Sequence, residues 1–231
     1  MPLPREDWPG RGPVTAADVT LAVRFAVAAL GCAPAGAWGS QAGSLEWDCW
    51  ETVEHIADVL FAYATQLTPA TPEGGYVPIA MTSTRPGGAE SAIHVDREKG
   101  TAGLLQALEA CGALLVAMVT TTSADTRAWH PYGTSDPEGF AAMGVAEILV
   151  HTRDAAQGLG VPWEPPADLC ARVLNRLFPG VPPDVLPSAA LLWATGRADL
   201  PGRPRLAEWR WYSEPRPVVA PTSPQPGEPR P

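Results

Sequence analysis

At 231 residues, with 45% hydrophobic and 18% charged side chains, the chain is long enough to bury a core and too apolar to be disordered. Its net charge of -9 opposes a nucleic-acid partner, whose phosphates demand a basic face, and equally a polybasic membrane-surface role. Met1 to Arg11 is polar and proline-rich without the apolar centre of a signal peptide, and no apolar run approaches the ~20 residues that span a bilayer, so a cytoplasmic protein is expected.

The four cysteines, Cys32, Cys49, Cys111 and Cys170, are widely spaced, with no C-x-x-C pair and no histidine at zinc-finger spacing. Reduced thiols are expected, with Cys32, Cys111 and Cys170 as small buried hydrophobes. Cys49 stands roughly 120° from His55 on a helical wheel, so the two are not expected to share a ligand.

Residues 1–14 read as a flexible N-terminus. Thr15-Ala-Ala-Asp18 is a capping-box variant, and Val19, Val23, Ala26, Val27 and Leu30 follow at helical spacing up to Gly31. A second helix is expected over residues 45–67. Val53, Ile56, Ala57, Leu60, Ala64 and Leu67 form its apolar stripe, Glu51, Glu54, Asp58 and Thr65 its opposite, polar side, and Pro69 its end. Prolines and glycine pairs make 68–100 a long irregular loop, with a small hairpin of 76–81 and 92–96. Loops of this length are usually either functional covers or mobile linkers, and a cover over a site is the expectation here.

A third helix is expected over 101–121. A fourth, capped by Ser135 or Asp136, runs from Pro137 to Gln157 and stops at Gly158 or Gly160. Shorter helices follow over 167–178 and 188–195 in a C-terminal extension, residues 161–212, expected to lie against the bundle of residues 15–160. Residues 213–231 read as a disordered proline-rich tail. Helices joined by short turns, with no strand ladder, make the fold class all-α, a helix bundle.

The fourth helix carries the chemistry. With Glu147 at the origin of a wheel, His151 falls at about 40° and Asp154 at about 340°, on the face of Phe140, Met143 and Gly144. Thr152, Arg153 and Gln157 mark its polar side. A carboxylate on an apolar face costs several kcal/mol unless paired, protonated or coordinated, and a metal shared with His151 four residues on would resolve that cost. An ion pair is the plainer reading of Glu-x-x-x-His alone. His55, at the margin of the second helix's apolar stripe, suits a third ligand in a cleft between helices. Two imidazoles and a carboxylate are the donor set of an open divalent site. His94 and His130 read as solvated loop histidines, with His130 a neighbour of the site through its position before the fourth helix.

Three stretches carry a family likeness: Leu45 to Leu60 (LEWDCWETVEHIADVL), Trp129 to Asp154 (WHPYGTSDPEGFAAMGVAEILVHTRD), and Leu192 to Gly202 (LWATGRADLPG) with Trp209-Arg210-Trp211. In these the chain resembles the DinB-like superfamily, and more closely the branch related to the N-terminal domain of mycothiol-dependent maleylpyruvate isomerase. The likeness covers roughly residues 15 to 212. It implies a four-helix bundle with a metal pocket whose ligands come from the second helix and from Glu-x-x-x-His of the fourth. Those positions are His55, Glu147 and His151 here. The implied metal is zinc, with nickel, manganese or iron used by related bundles.

The isomerase has a second, C-terminal domain that contributes to its active site, whereas only short helices and a proline-rich tail follow residue 160 here. What the resemblance carries over is therefore the metal scaffold rather than maleylpyruvate isomerisation itself. The leading expectation is a metal-dependent transferase or isomerase joining a small-molecule thiol, mycothiol, to an electrophilic substrate. Asp58 and Asp154, one turn beyond each histidine, are candidates to orient the rings. The alternatives are a metal-dependent hydrolase of a small amide or ester, and a non-enzymatic metal- or ligand-binding bundle, monomeric or homodimeric.

Overall fold

The computed structural model describes residues 12–69, 73–182 and 184–215. The outer parts of the expected flexible N-terminus and proline-rich tail, residues 1–11 and 216–231, lie outside the described residues, as do 70–72 in the long loop and 183 in the C-terminal extension. Among the described residues the chain is all-α: α1 (Ala16–Leu30), α2 (Cys49–Gln66), α3 (Gly100–Thr121), α4 (Pro137–Leu159), α5 (Ala167–Leu177) and α6 (Pro187–Ala194).

Capping chemistry sets the starts. Asp18 Oδ2 accepts from the Thr15 N–H at 2.8 Å, and the Asp18 carboxylate also meets Arg172 of α5 at 2.7 Å, so one side chain caps α1 and ties it to α5. α2 begins at Cys49 rather than Leu45, because Asp48 caps it: Asp48 Oδ1 accepts from Glu51 N–H at 2.7 Å, while Glu51 Oε2 accepts from Asp48 N–H at 3.0 Å. Of the two expected caps of α4, Asp136 does the work, accepting from Gly139 N–H at 2.7 Å with Pro137 next in line. Gly160, at φ +67°, ends it.

Helices α1 to α4 pack as a ring: α1 lies against α3 and α4, and α2 lies against the same two. α5 packs on α4, and α6 on α5. Phe140, Met143, Ile56, Leu60, Leu104, Leu108 and Leu115 are fully buried in the centre. α4 is enclosed on almost every side, and its expected polar side is only partly so: Thr152 is fully buried, Arg153 half-buried and Gln157 exposed.

Several expectations need correction. The hairpin over 76–81 and 92–96 reduces to one antiparallel bridge between Thr82 and Ser91. Cys32 is exposed, whereas Cys111 and Cys170 are buried as expected. Val14 is buried, and its N–H donates to Glu138 Oε1 at 3.2 Å, so the packed chain starts before residue 15. At the other end it continues past residue 212. Ser213 is buried, and its carbonyl accepts from Ser135 Oγ at 2.7 Å and Arg176 Nη2 at 2.9 Å. Finally, Arg97–Thr121 is long and apolar enough, by length and composition, to cross a membrane. Leucine, valine, alanine and methionine raise its mean hydropathy, while Gln106 and Glu109 interrupt the apolar run, and one face packs on α1 and α2.

The largest departure concerns α2. Glu51, Glu54 and Asp58, read as its solvent face, are buried beneath the long loop. Arg85 forms a two-pronged pair with Glu51, at 2.8 and 2.7 Å. Glu54 Oε1 accepts from Val95 N–H at 2.7 Å and from Trp50 Nε1–H at 2.9 Å. Asp58 Oδ1 accepts from Ala92 and Ile93 N–H at 2.8 and 3.2 Å. A loop with few backbone partners of its own uses these carboxylates to satisfy its N–H groups, which is why a charged stripe is covered.

Candidate metal centre

His55 on α2 and Glu147 and His151 on α4 converge where the two helices face each other. One donor atom from each lies within 4.8 Å of the other two. His151 Nε2 stands 3.1 Å from Glu147 Oε2, and His55 Nε2 stands 3.9 Å from the same oxygen. Tetrahedral donors bound at roughly 2.1 Å sit about 3.4 Å apart, so these separations straddle what one cation requires. Glu147 and His151 are buried, and His55 is half-buried at the rim. The group could therefore hold a metal ion, and two imidazoles with one carboxylate suit a divalent one.

The electrostatics separate the three. Burial, reinforced by the adjacent His151, pushes His55 down to about 4 against the attraction of Glu147, so its ring is neutral and its lone pair available at neutral pH. Burial opposes ionisation of Glu147, but His151, His55 and Arg197 outweigh it and hold the carboxyl below its ordinary value. His151 is raised: burial disfavours its charge, yet Asp154 and Glu147 on either side win.

Of the two aspartates expected to orient the rings, the structure brings only Asp154 to its histidine. Asp154 Oδ2 lies 3.1 Å from His151 Nδ1, a close contact short of good hydrogen-bond alignment. Asp58 instead spends its Oδ1 on the loop backbone, a correction that follows from the burial of the acidic stripe.

Sequence reasoning missed two further groups. Trp47, half-buried, lays its indole 4.7 Å from the His55 ring centre and 6.2 Å from that of His151, walling one side of the cluster. Arg197 grips Asp154 through Nε at 3.0 Å and Nη2 at 2.8 Å, and gives Nη1 to Thr195 O at 2.9 Å. A signal for Arg197 lay in the preceding Gly196, at φ +69°, where an added Cβ would meet Leu206 O at 2.7 Å; that turn delivers the guanidinium.

His130 is not a solvated loop residue. It is buried among Tyr63, Tyr132, Phe140 and Trp211, its Nδ1 accepts from Tyr132 N–H at 3.1 Å, and burial pushes it down to about 4. His94 does stay in the loop, with Nε2 3.0 Å from Thr82 Oγ1.

Beside the cluster lies a cavity of about 180 Å³. His55 and Tyr63 from α2, with Tyr76, Val77, Ile79 and Met81 from the long loop, are among its walls. The loop therefore does form part of a pocket wall. Burial keeps both phenols protonated at neutral pH, raising Tyr76 to about 12 and Tyr63 well above its usual value.

Compared with known proteins, the chain matches no family model, no curated protein and no solved structure.

Proposed function

We propose that the protein is a DinB-like, divalent-metal-dependent enzyme that joins a small thiol, mycothiol, to an electrophilic substrate in a transfer or isomerisation. The supporting observation is the convergence of His55, Glu147 and His151 beside a cavity that one of them lines. Among the described residues the charge partners of Glu147 are these histidines and the more distant Arg197, and a divalent cation shared by the three donors would offset the burial of its carboxylate. Bound there, the metal (zinc, by the resemblance) would lower a thiol's pKa and so supply a nucleophile at neutral pH.

The chain's own residues do the rest. Asp154, held by Arg197, faces the Nδ1 side of His151 and leaves Nε2 for the ligand position. Trp47 shields one side of the two imidazoles from water. The cavity takes a small substrate with an apolar body, through Val77, Ile79 and Met81, and the protonated Tyr63 and Tyr76 offer hydroxyl donors to its carbonyl or carboxylate.

The test is consumption of a small unsaturated or halogenated carbonyl compound by zinc-loaded protein, with and without mycothiol. Turnover that needs both metal and thiol is expected. Turnover of an ester or amide without thiol would replace this reading with hydrolysis, and no turnover of either class would leave a metal-binding bundle.

A further inference from the structure

A second concavity, of about 420 Å³, lies behind the metal centre, between the 41–44 loop, the last two turns of α4 and the chain after α6. Its volume falls within the ~300–1,000 Å³ of small-molecule sites. Its walls run against the overall charge of the protein: Arg153, Arg197 and Arg205 face it, with Asp154 as its one carboxylate. That carboxylate is already committed to Arg197 and His151.

The other two arginines have no such partner. Elsewhere Arg85, Arg97, Arg172 and Arg176 are consumed by Glu51, Asp48, Asp18 and Asp136. Among the described residues, the side chains of Arg153 and Arg205 make no ion pair or hydrogen bond, although acids outnumber bases 25 to 16 in the chain. Asp199 accepts from the Arg205 backbone N–H at 2.6 Å, not from its guanidinium. Ser44 and Gln157 also reach the cleft with uncommitted polar side chains. Gly43, at φ +54°, lets the loop approach α4; a Cβ there would meet Gln157 Oε1 at 2.9 Å.

We infer that this cleft binds a small organic anion, its carboxylate or phosphate group engaged by Arg153 and Arg205 and its polar body by Ser44 and Gln157. Guanidinium groups suit such planar or tetrahedral oxyanions, and a concave, partly desolvated wall strengthens each charge-assisted bond. A nucleic acid does not fit this reading, since the net charge of -9 repels a polyanion. The inference does not depend on the metal: Arg153 and Arg205 lie outside the His55–Glu147–His151 cluster, and only Asp154 with its clamp Arg197 borders both.

Calorimetric titration of the full chain with inorganic phosphate, and separately with malonate, at low salt and with chelator present, tests it. Saturable binding at one site per chain is expected for at least one of the two, and the one that binds names the anion class. Arg153→Gln and Arg205→Gln should each weaken it by about tenfold, while Arg24→Gln, on α1, should not. Both side chains reach solvent; should Arg153→Gln fail to fold, the exposed Arg205 carries the test alone. Absence of saturable binding by either anion, or variants that bind as well as the parent, would overturn the inference.

Discussion

Helix α2 presents two rows of buried polar groups, and they end differently. On one side Glu51, Glu54 and Asp58 are each taken up by the long loop, through a guanidinium or through backbone N–H groups. On the other, the polar groups that His55 meets are Glu147 and His151, themselves metal donors. His55 is the less deeply buried, but the decisive difference is the identity of the partner. A buried carboxylate whose lone pairs are filled by the chain's own donors is architecture. One whose neighbours are imidazole nitrogens belongs to a donor group that could hold a metal ion.

That contrast can be broken by substitution. Glu147→Ala should abolish stoichiometric zinc binding, weakening it by more than the roughly hundredfold ceiling for changes to outer partners of a ligand, as read by competition with a chromophoric chelator. Asp154→Asn removes such an outer partner and should cost about 10–100-fold in the same assay, through His151 alone. Asp58→Ala belongs to the other row: it leaves the Ala92 N–H unpaired and the Ile93 N–H with Ser91 Oγ alone, and should cost about 1–3 kcal/mol in denaturant unfolding, with zinc affinity unchanged. If Asp58→Ala lost zinc and Asp154→Asn did not, the assignment of the two rows would be reversed.

The smallest expected effect concerns His130, which lies outside both rows. Its folded pKa, about 4, is below its ordinary 6.5, so the unfolded chain takes up this proton first as pH falls. The stability it contributes is full above the ordinary value and is lost as pH drops toward the folded one. Between about pH 7 and about pH 5.5 this amounts to about 1 kcal/mol, visible as a steeper acid-side fall in the melting temperature of the parent than of a folded His130→Gln variant.

Local signals carried much of this architecture. Thr15-Ala-Ala-Asp18, Asp136-Pro137 and Gly160 mark helix ends by chemistry that acts within a few residues, and those ends lie where the sequence puts them. The Glu147–His151 pair was legible for the same reason, since four residues on a helix are one turn. What resisted reading was long-range. The acidic stripe of α2 looks solvent-facing because nothing in 51–58 reveals that residues 85 and 92–95 of the loop will cover it. Arg197 approaches the centre from a chain-distant turn, Trp47 folds back onto it from the turn before α2, and His130 looked like a turn residue until Trp211 closed over it. Periodicity reports which face is polar, and tertiary covering decides whether that face meets water.

The most direct test of the metal centre is X-ray absorption at the zinc edge on protein reconstituted with one equivalent of zinc, alongside the His55→Ala/Glu147→Ala/His151→Ala triple variant. Tight uptake by the parent is expected, with two imidazole nitrogens and a carboxylate oxygen around the ion, and none by the variant. Zinc held equally well by the variant, or a parent shell without paired imidazoles, would contradict it.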